Sequence, residues 1–249
     1  MTIYKNEFLK ECKLALLPLL CKLFNVILIT GWFPEILVKS VLVPLFKKGP
    51  VDETGNYRGI SLVSHVGNFF TSVINTRLLK WCKEYSILTD AQFGFVPGYG
   101  THDAIFALHS IVSKSLRKGK RLYCCFIDFV KAFDSVSHYV LWQKMLKCGI
   151  SGNLLNLIKS MYSKLKTCVK LDGEFSDFFH CNVGLMQGES LSPFLYAIYV
   201  NDIEIELIKQ GIEPYEVKLL NLYLFMYADD TVLFSESISD LQKNDSHCI

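Results

Sequence analysis

Three aspartates stand where a charge is hard to keep. Phe126-Ile127-Asp128-Phe129 sets one carboxylate at the end of an apolar run, a costly place unless the charge is paired, solvated or bound to a metal. Tyr227-Ala228-Asp229-Asp230 sets two more between two apolar runs. Neighbouring like charges repel, and a divalent cation removes that penalty. Carboxylate oxygens and water are the hard ligands that Mg²⁺ takes. Strand-end acids from two distant segments can bridge two metal ions about 3.5–4 Å apart, which stabilises the attacking and leaving oxygens of an in-line phosphoryl displacement. Each piece alone has a plainer reading. Asp-Asp suits a hairpin turn, and a strand-terminal Asp is often a cap.

The combination is more specific. After Asp128 come Lys131-Ala132-Phe133-Asp134, then Gly184-Leu185-Met186-Gln187-Gly188-Glu189-Ser190-Leu191-Ser192-Pro193, then Tyr227-Ala228-Asp229-Asp230. In that order the segments resemble the palm of reverse transcriptases, most closely those of the non-LTR (LINE-type) retrotransposon branch. Upstream, Val43-Pro44-Leu45-Phe46-Lys47-Lys48-Gly49, Asn56-Tyr57-Arg58-Gly59-Ile60-Ser61-Leu62 and Gln92-Phe93-Gly94-Phe95, continuing to Thr101, Asp103 and Ala104, resemble the family's fingers. The likeness covers nearly the whole chain. It departs at Met186, where many members have Arg, at Leu37, where Trp is common, and at Gly59, where Pro is frequent. None of these departures removes a carboxylate.

The resemblance implies an RNA-directed DNA polymerase that extends a primer 3′-OH with dNTPs along an RNA template. Its cofactor would be two Mg²⁺ ions, with Mn²⁺ as the alternative. It implies an α+β fold, the fingers and palm of a polymerase right hand with a ferredoxin-like split βαβ palm sheet. Residues 1–122 would be the N-terminal region and fingers, and 123–249 an incomplete palm. The thumb and an endonuclease would lie elsewhere in a retrotransposon polyprotein. Partners would be the RNA template, the DNA primer, dNTPs and the rest of that polyprotein, with no membrane.

Residue roles come from the same likeness. Asp128, Asp229 and Asp230 would be the catalytic metal ligands, with the Phe129 carbonyl facing a metal. Phe133 matches the aromatic that blocks a ribose 2′-OH; core packing is its alternative. Gln187 and Gly188 would line the nascent base pair, since glycine lets backbone approach a ligand. Arg58, with Lys47 or Lys48, would neutralise the triphosphate, Arg as a bidentate fork and Lys as a point charge. Two other readings compete. One is a catalytically inactive, truncated nucleic-acid-binding fragment. The other is a different two-metal enzyme, such as an RNA-templated RNA polymerase or a nuclease, against which Phe133 argues.

These residues need elements to hold them. Apolar spacing from Phe8 to Ile27 predicts a helix over 6–29. Strands are expected at Val38–Phe46 and Gly59–Val63 around a basic turn, then a helix over 68–84 and a loop over 92–100. Thr101 is the expected N-cap of a helix to about Leu116. Tyr123–Phe129 reads as a buried strand. Helices over 138–148 and 152–162 precede a hairpin whose arms, 169–171 and 175–181, flank Asp172-Gly173. A helix over 193–207 and strands over 217–226 and 231–234 complete an order from 123 onward of β-α-α-β-β-α-β-β, that of an α+β sheet related to the split βαβ motif.

Composition sets the outer bounds. The 249 residues allow one large domain or two small ones, and 51% hydrophobic content excludes disorder. The net charge of +2 hides an asymmetry. Residues 1–122 hold 16 Lys and Arg against 8 Asp and Glu, and the rest hold 10 against 16. A basic half suits phosphate and an acidic half suits cations. The nine cysteines show no C-x-x-C spacing, which points to reduced thiols in an intracellular protein, nuclear or cytoplasmic. The six histidines have no ligand spacing either. Leu14–Trp32 is broken by Pro18, Lys22, Asn25 and Gly31, so a buried helix is expected there rather than a membrane span. Glu7 and Glu11 argue against a signal peptide.

Overall fold

The computed structural model describes residues 11–217, 220–239 and 241–242. In chain order the elements begin with α1 (Lys13–Thr30), α2 (Glu35–Val38), β1 (Ser40–Phe46), β2 (Tyr57–Leu62), α3 (His65–Glu84) and α4 (Thr101–Arg117). Next come β3 (Tyr123–Asp128), α5 (His138–Lys147), α6 (Gly152–Ser163), β4 (Lys166–Leu171), β5 (Glu174–Phe175) and β6 (Phe179–His180). The last are α7 (Ser192–Val200), α8 (Ile203–Lys209), β7 (Tyr215–Val217), β8 (Leu220–Leu222), β9 (Leu224–Tyr227) and β10 (Asp230–Ser235). The chain packs as two compact units. One joins the stretch ending at Phe70 to Met145–Asn182; the other joins Thr71–Lys144 to the stretch beginning at Val183. Residues 145–182 thus pack with the N-terminal stretch, a division different from a cut at 122.

In the first unit β1 pairs antiparallel with β2 and parallel with β4, and β4 carries β5 and β6. The buried hydroxyls of Ser40 and Thr167 hydrogen-bond at 2.8 Å where β1 meets β4. The Asp172-Gly173 turn forms as expected, with φ of 50° and 91° at its two central residues, the type I′ pattern. Its hairpin joins β1 rather than β3. α1 packs on α6, where the Asn153 side chain donates to the Ile29 carbonyl at 3.0 Å.

The expected burial of α1 does not hold. Phe24 and Ile27 are buried, but Leu14, Leu17, Leu19, Val26 and Ile29 are exposed. Among the described residues its cover comes from α6 and from the Phe69 and Phe70 rings at 5.6 and 5.0 Å from Phe24. A helix apolar on every side needs partners on every side to be buried. By length and composition alone α1 would suffice to cross a membrane.

In the second unit β3, β10 and β9 form an antiparallel sheet in that order. Ile111 of α4 packs with Tyr215, Val217, Val232 and Phe234 in a buried cluster, and Leu108, Cys124 and Phe225 lean on it. β3 is less buried than its composition suggests, because it is an edge strand and that cluster gathers at its Cys124 end. Phe126, further along, is 72% exposed. Thr101 is the first residue of α4 rather than its cap. Gly100 takes the cap position, and the Asp103 carboxylate accepts its N–H at 2.7 Å.

The helix expected over 193–207 breaks into α7 and α8 because its middle is recruited elsewhere. Asn201 accepts the Thr89 N–H and donates to the Ile87 carbonyl, both at 2.9 Å. Asp202 pairs with Lys144, which also donates to the Tyr199 carbonyl. The strand expected over 217–226 is likewise split, and its residues 218–219 lie outside those described.

Candidate active site

β10 runs beside β3 in a register that sets Asp230 opposite Asp128. Opposed residues leave the sheet on the same face, with Cβ atoms about 4.5–5.5 Å apart. Both aspartates are exposed, and Asp229 is half-buried. Among the described residues no Lys, Arg or His forms an ion pair with any of the three. Like charges opposed across strands are destabilising, and a cation between them would remove that cost. The pair's oxygen donors fit Mg²⁺. No three His, Cys, Asp or Glu side chains among the described residues converge as a metal cage. The pair is therefore open, and a metal there would complete its shell with water or phosphate oxygens.

Tyr227 pairs with Asp230, which leaves Ala228-Asp229 as a two-residue hairpin loop. Ala228 has a φ of 60°, a conformation usually left to glycine in such loops. The segment 91–94 runs alongside β9. Met226 N–H donates to the Ala91 carbonyl and Phe93 N–H to the Met226 carbonyl, both at 2.8 Å. The buried Gln92 side-chain oxygen accepts the Gly94 N–H at 2.8 Å and the Ala228 N–H at 3.2 Å. A Cβ on Gly94 would sit 2.1 Å from the Ala228 nitrogen. The Gln92–Phe95 motif thus lies in the same unit as the acids and touches their turn. Sequence reasoning placed it in the fingers and gave these two residues no role. The available signal was an alanine at the first position of a tight turn, a residue that needs holding from outside.

Phe133 stacks on Tyr196 of α7, with centroids 4.9 Å apart and planes at 15°, and meets Phe95 edge-on at 6.2 Å. Its ring is half-buried, packed on α7 with part of its surface open. Burial, and then the negative charge of Asp229, hold the Tyr196 phenol well above the usual range, so it stays protonated. Gln187 donates to the Asp134 carboxylate at 3.1 Å, so Asp134 ties down the Gln187 loop. The same loop is pinned by Gly184 N–H to the Val136 carbonyl at 2.8 Å and Leu185 N–H to the Phe133 carbonyl at 2.7 Å. His138 Nε2 meets the Gly184 carbonyl at 2.7 Å. Gly188 has a φ of 109°.

Glu189 is a residue whose weight the sequence did not reveal. Its buried carboxylate accepts the Leu191 and Ser192 N–H groups at 2.9 Å and the Ser192 hydroxyl at 3.0 Å. It therefore caps α7 from one side chain. Burial pushes its pKa up, against the pull of these donors and of Thr71. Met186, standing where many members have Arg, is buried.

Lys47, Lys48 and Arg58 belong to the first unit. All three are exposed, and none forms an ion pair among the described residues. Leu45 opposes Arg58, and the ladder continues with Lys47 N–H donating to the Asn56 carbonyl at 2.9 Å. Lys47 and Lys48 follow the end of β1 at Phe46.

The fold is that of a polymerase right hand. It matches apo telomerase from Candida tropicalis, truncated of its C-terminal domain, with a TM-score of 0.63, 14% identity, and coverage of 84% of this chain and 46% of that one. The model of the family "Reverse transcriptase (RNA-dependent DNA polymerase)" matches residues 46–248, and the chain belongs to that family. It is 30% identical over 226 residues to the RNA-directed DNA polymerase from mobile element jockey of Drosophila funebris, covering 90% of this chain and 24% of the relative. It is 27% identical over 233 residues to the probable RNA-directed DNA polymerase from transposon BS of Drosophila melanogaster, covering 93% and 25%. The non-LTR likeness read from the motifs is upheld. The chain spans about a quarter of the length of these relatives.

Proposed function

We propose that the chain is the catalytic segment of an RNA-directed DNA polymerase, adding dNTPs to a primer 3′-OH by two-metal phosphoryl transfer. The observation that carries this reading is the in-register pair Asp128 and Asp230, with no ion pair to a cation among the described residues and beside the Asp229 turn. Asp128, Asp229 and Asp230 would hold Mg²⁺, or Mn²⁺, with the Phe129 carbonyl as a further oxygen ligand. When bound, the ions supply charge neutralisation at the transferring phosphate and a lowered pKa for the attacking hydroxyl. The protein's part is positioning. Phe133, braced by Tyr196, stands as the steric check on the ribose. Gln187, held by Asp134, and Gly188 offer a polar group and bare backbone to the nascent pair. Arg58, with Lys47 or Lys48, all exposed and without an ion pair among the described residues, are the cations proposed for the triphosphate.

In this reading residues 1–122 act as fingers and 123–249 as palm, apart from 91–94, which pair with β9, and 145–182, which pack with the N-terminal stretch. The RNA template, DNA primer and dNTPs are partners, together with a thumb and an endonuclease in a longer polyprotein. The protein would work inside the cell, in nucleus or cytoplasm, away from membranes. The test is primer extension on an RNA template with the chain and with the longest open frame that contains it. Incorporation that Asp229→Asn reduces by a thousandfold or more supports the reading; incorporation indifferent to Asp229 defeats it. A second reading rests on the quarter-length coverage of the relatives: a nucleic-acid-binding segment without activity of its own. RNA binding untouched by Asp229→Asn, with no incorporation from the longest frame either, would favour it.

A further inference from the structure

We propose that Gln92 and Gly94 are positioning residues for the Asp229 carboxylate, acting through the Tyr227–Ala228 peptide; this rests on the polymerase reading above. The ladder between β10 and its neighbours fixes Asp128 and Asp230, but Asp229 lies in the loop and has no ladder partner of its own. Its direction is set by the peptide before it. That peptide is held in a conformation alanine resists, with Ala228 at a φ of 60°, and such strain persists only where the surroundings impose it.

Two constraints converge on it. The Gln92 oxygen accepts the Ala228 N–H and, at the same time, the Gly94 N–H, which ties the turn to the segment beside it. Gly94 then supplies the room. A Cβ there would lie 2.1 Å from the Ala228 nitrogen and 2.9 Å from the Tyr227 carbonyl carbon. Any side chain at 94 would push the turn, and Asp229 with it, out of place.

Gln92 is not there for packing. Its side-chain nitrogen is buried with no hydrogen-bond partner among the described residues, a cost that an apolar residue of similar size would not carry. What offsets that cost is the pair of backbone donors on its oxygen.

The test measures Mn²⁺ binding to the chain by electron paramagnetic resonance, with thermal unfolding as a parallel record of folding and primer extension as a second readout. Asp229→Asn should weaken Mn²⁺ binding. Gln92→Leu should weaken it at least fivefold and slow dNTP incorporation similarly, in protein that still unfolds cooperatively. Gln92→Glu keeps the accepting oxygen and should bind Mn²⁺ at least as well as the parent. Gly94→Ala should act as Gln92→Leu does. If Asp229→Asn abolishes binding but folded Gln92→Leu and Gly94→Ala stay within twofold of the parent, the positioning role is wrong and the polymerase reading stands. If Asp229→Asn changes neither binding nor incorporation, the polymerase reading falls and takes this one with it.

Discussion

At the scale of single residues, the proposed reading separates groups that would meet the reaction from groups that would hold them. Phe133 is the sharpest case, since it stacks on Tyr196 yet is only half-buried. Phe133→Ala should raise the ratio of ribonucleotide to deoxynucleotide incorporation about tenfold, the scale of one lost steric contact, while Phe133→Tyr should leave it near the parent value; single-nucleotide extension with each substrate reads this directly. Glu189 makes a prediction in pH. Its folded pKa is raised above the ordinary 4.5 by burial. For a raised acid, the contribution to stability is fully present below the unfolded pKa and declines as pH rises through the folded one. Thermal midpoints should therefore fall as pH rises from about 4.5 through the raised folded pKa, more steeply in the parent than in Glu189→Gln. Parallel slopes would mean that Glu189 is charged in the fold at no net cost.

At the scale of elements, the loop that carries Gln187 depends on one glycine. Gly184 has a φ of 86°, and a Cβ there would sit 2.9 Å from the Asp134 carbonyl oxygen. Gly184→Ala should cost about 1–3 kcal/mol in urea unfolding and loosen the Gln187–Asp134 contact, so incorporation should fall further than stability explains. The same loop shows what the sequence made legible and what it did not. Asp128, Asp229 and Asp230 could be singled out because a charge at the end of an apolar run or a pair of adjacent charges calls for a reason, whereas Phe133 and Gln187 entered only through the resemblance. The Asp172-Gly173 hairpin could be picked out because two neighbouring residues dictate its turn. Gln92 could not be tied to Ala228, because their hydrogen bond joins residues 136 positions apart. The break between α7 and α8 was equally hidden. Local spacing favours one long helix there, and only distant partners at Ile87, Thr89 and Lys144 interrupt it.

At the scale of the whole molecule, the misjudged feature was exposure rather than structure. Helix α1 forms, but most of its apolar surface meets solvent, and contiguous apolar patches of that kind drive association. The isolated chain should self-associate with rising concentration. Replacing Leu14, Leu19 and Ile29 with Gln should shift it toward monomer in light scattering without moving the unfolding midpoint by more than a few degrees, since exposed substitutions stay within about 0.5 kcal/mol each. An unchanged mass distribution would point to another patch. The interleaving of the two units also bears on how the protein is made. β1 pairs with β4 through residues 127 positions apart, Ser40 and Thr167. A chain leaving the ribosome cannot complete its first unit until β4 has been synthesised, well after β1 and β2 have emerged. During that interval the free edge of β1 is an unpaired strand, the kind of surface that invites wrong partners. The order of synthesis and the order of assembly do not coincide, so conditions that slow translation should lower the yield of folded protein more than its stability would suggest.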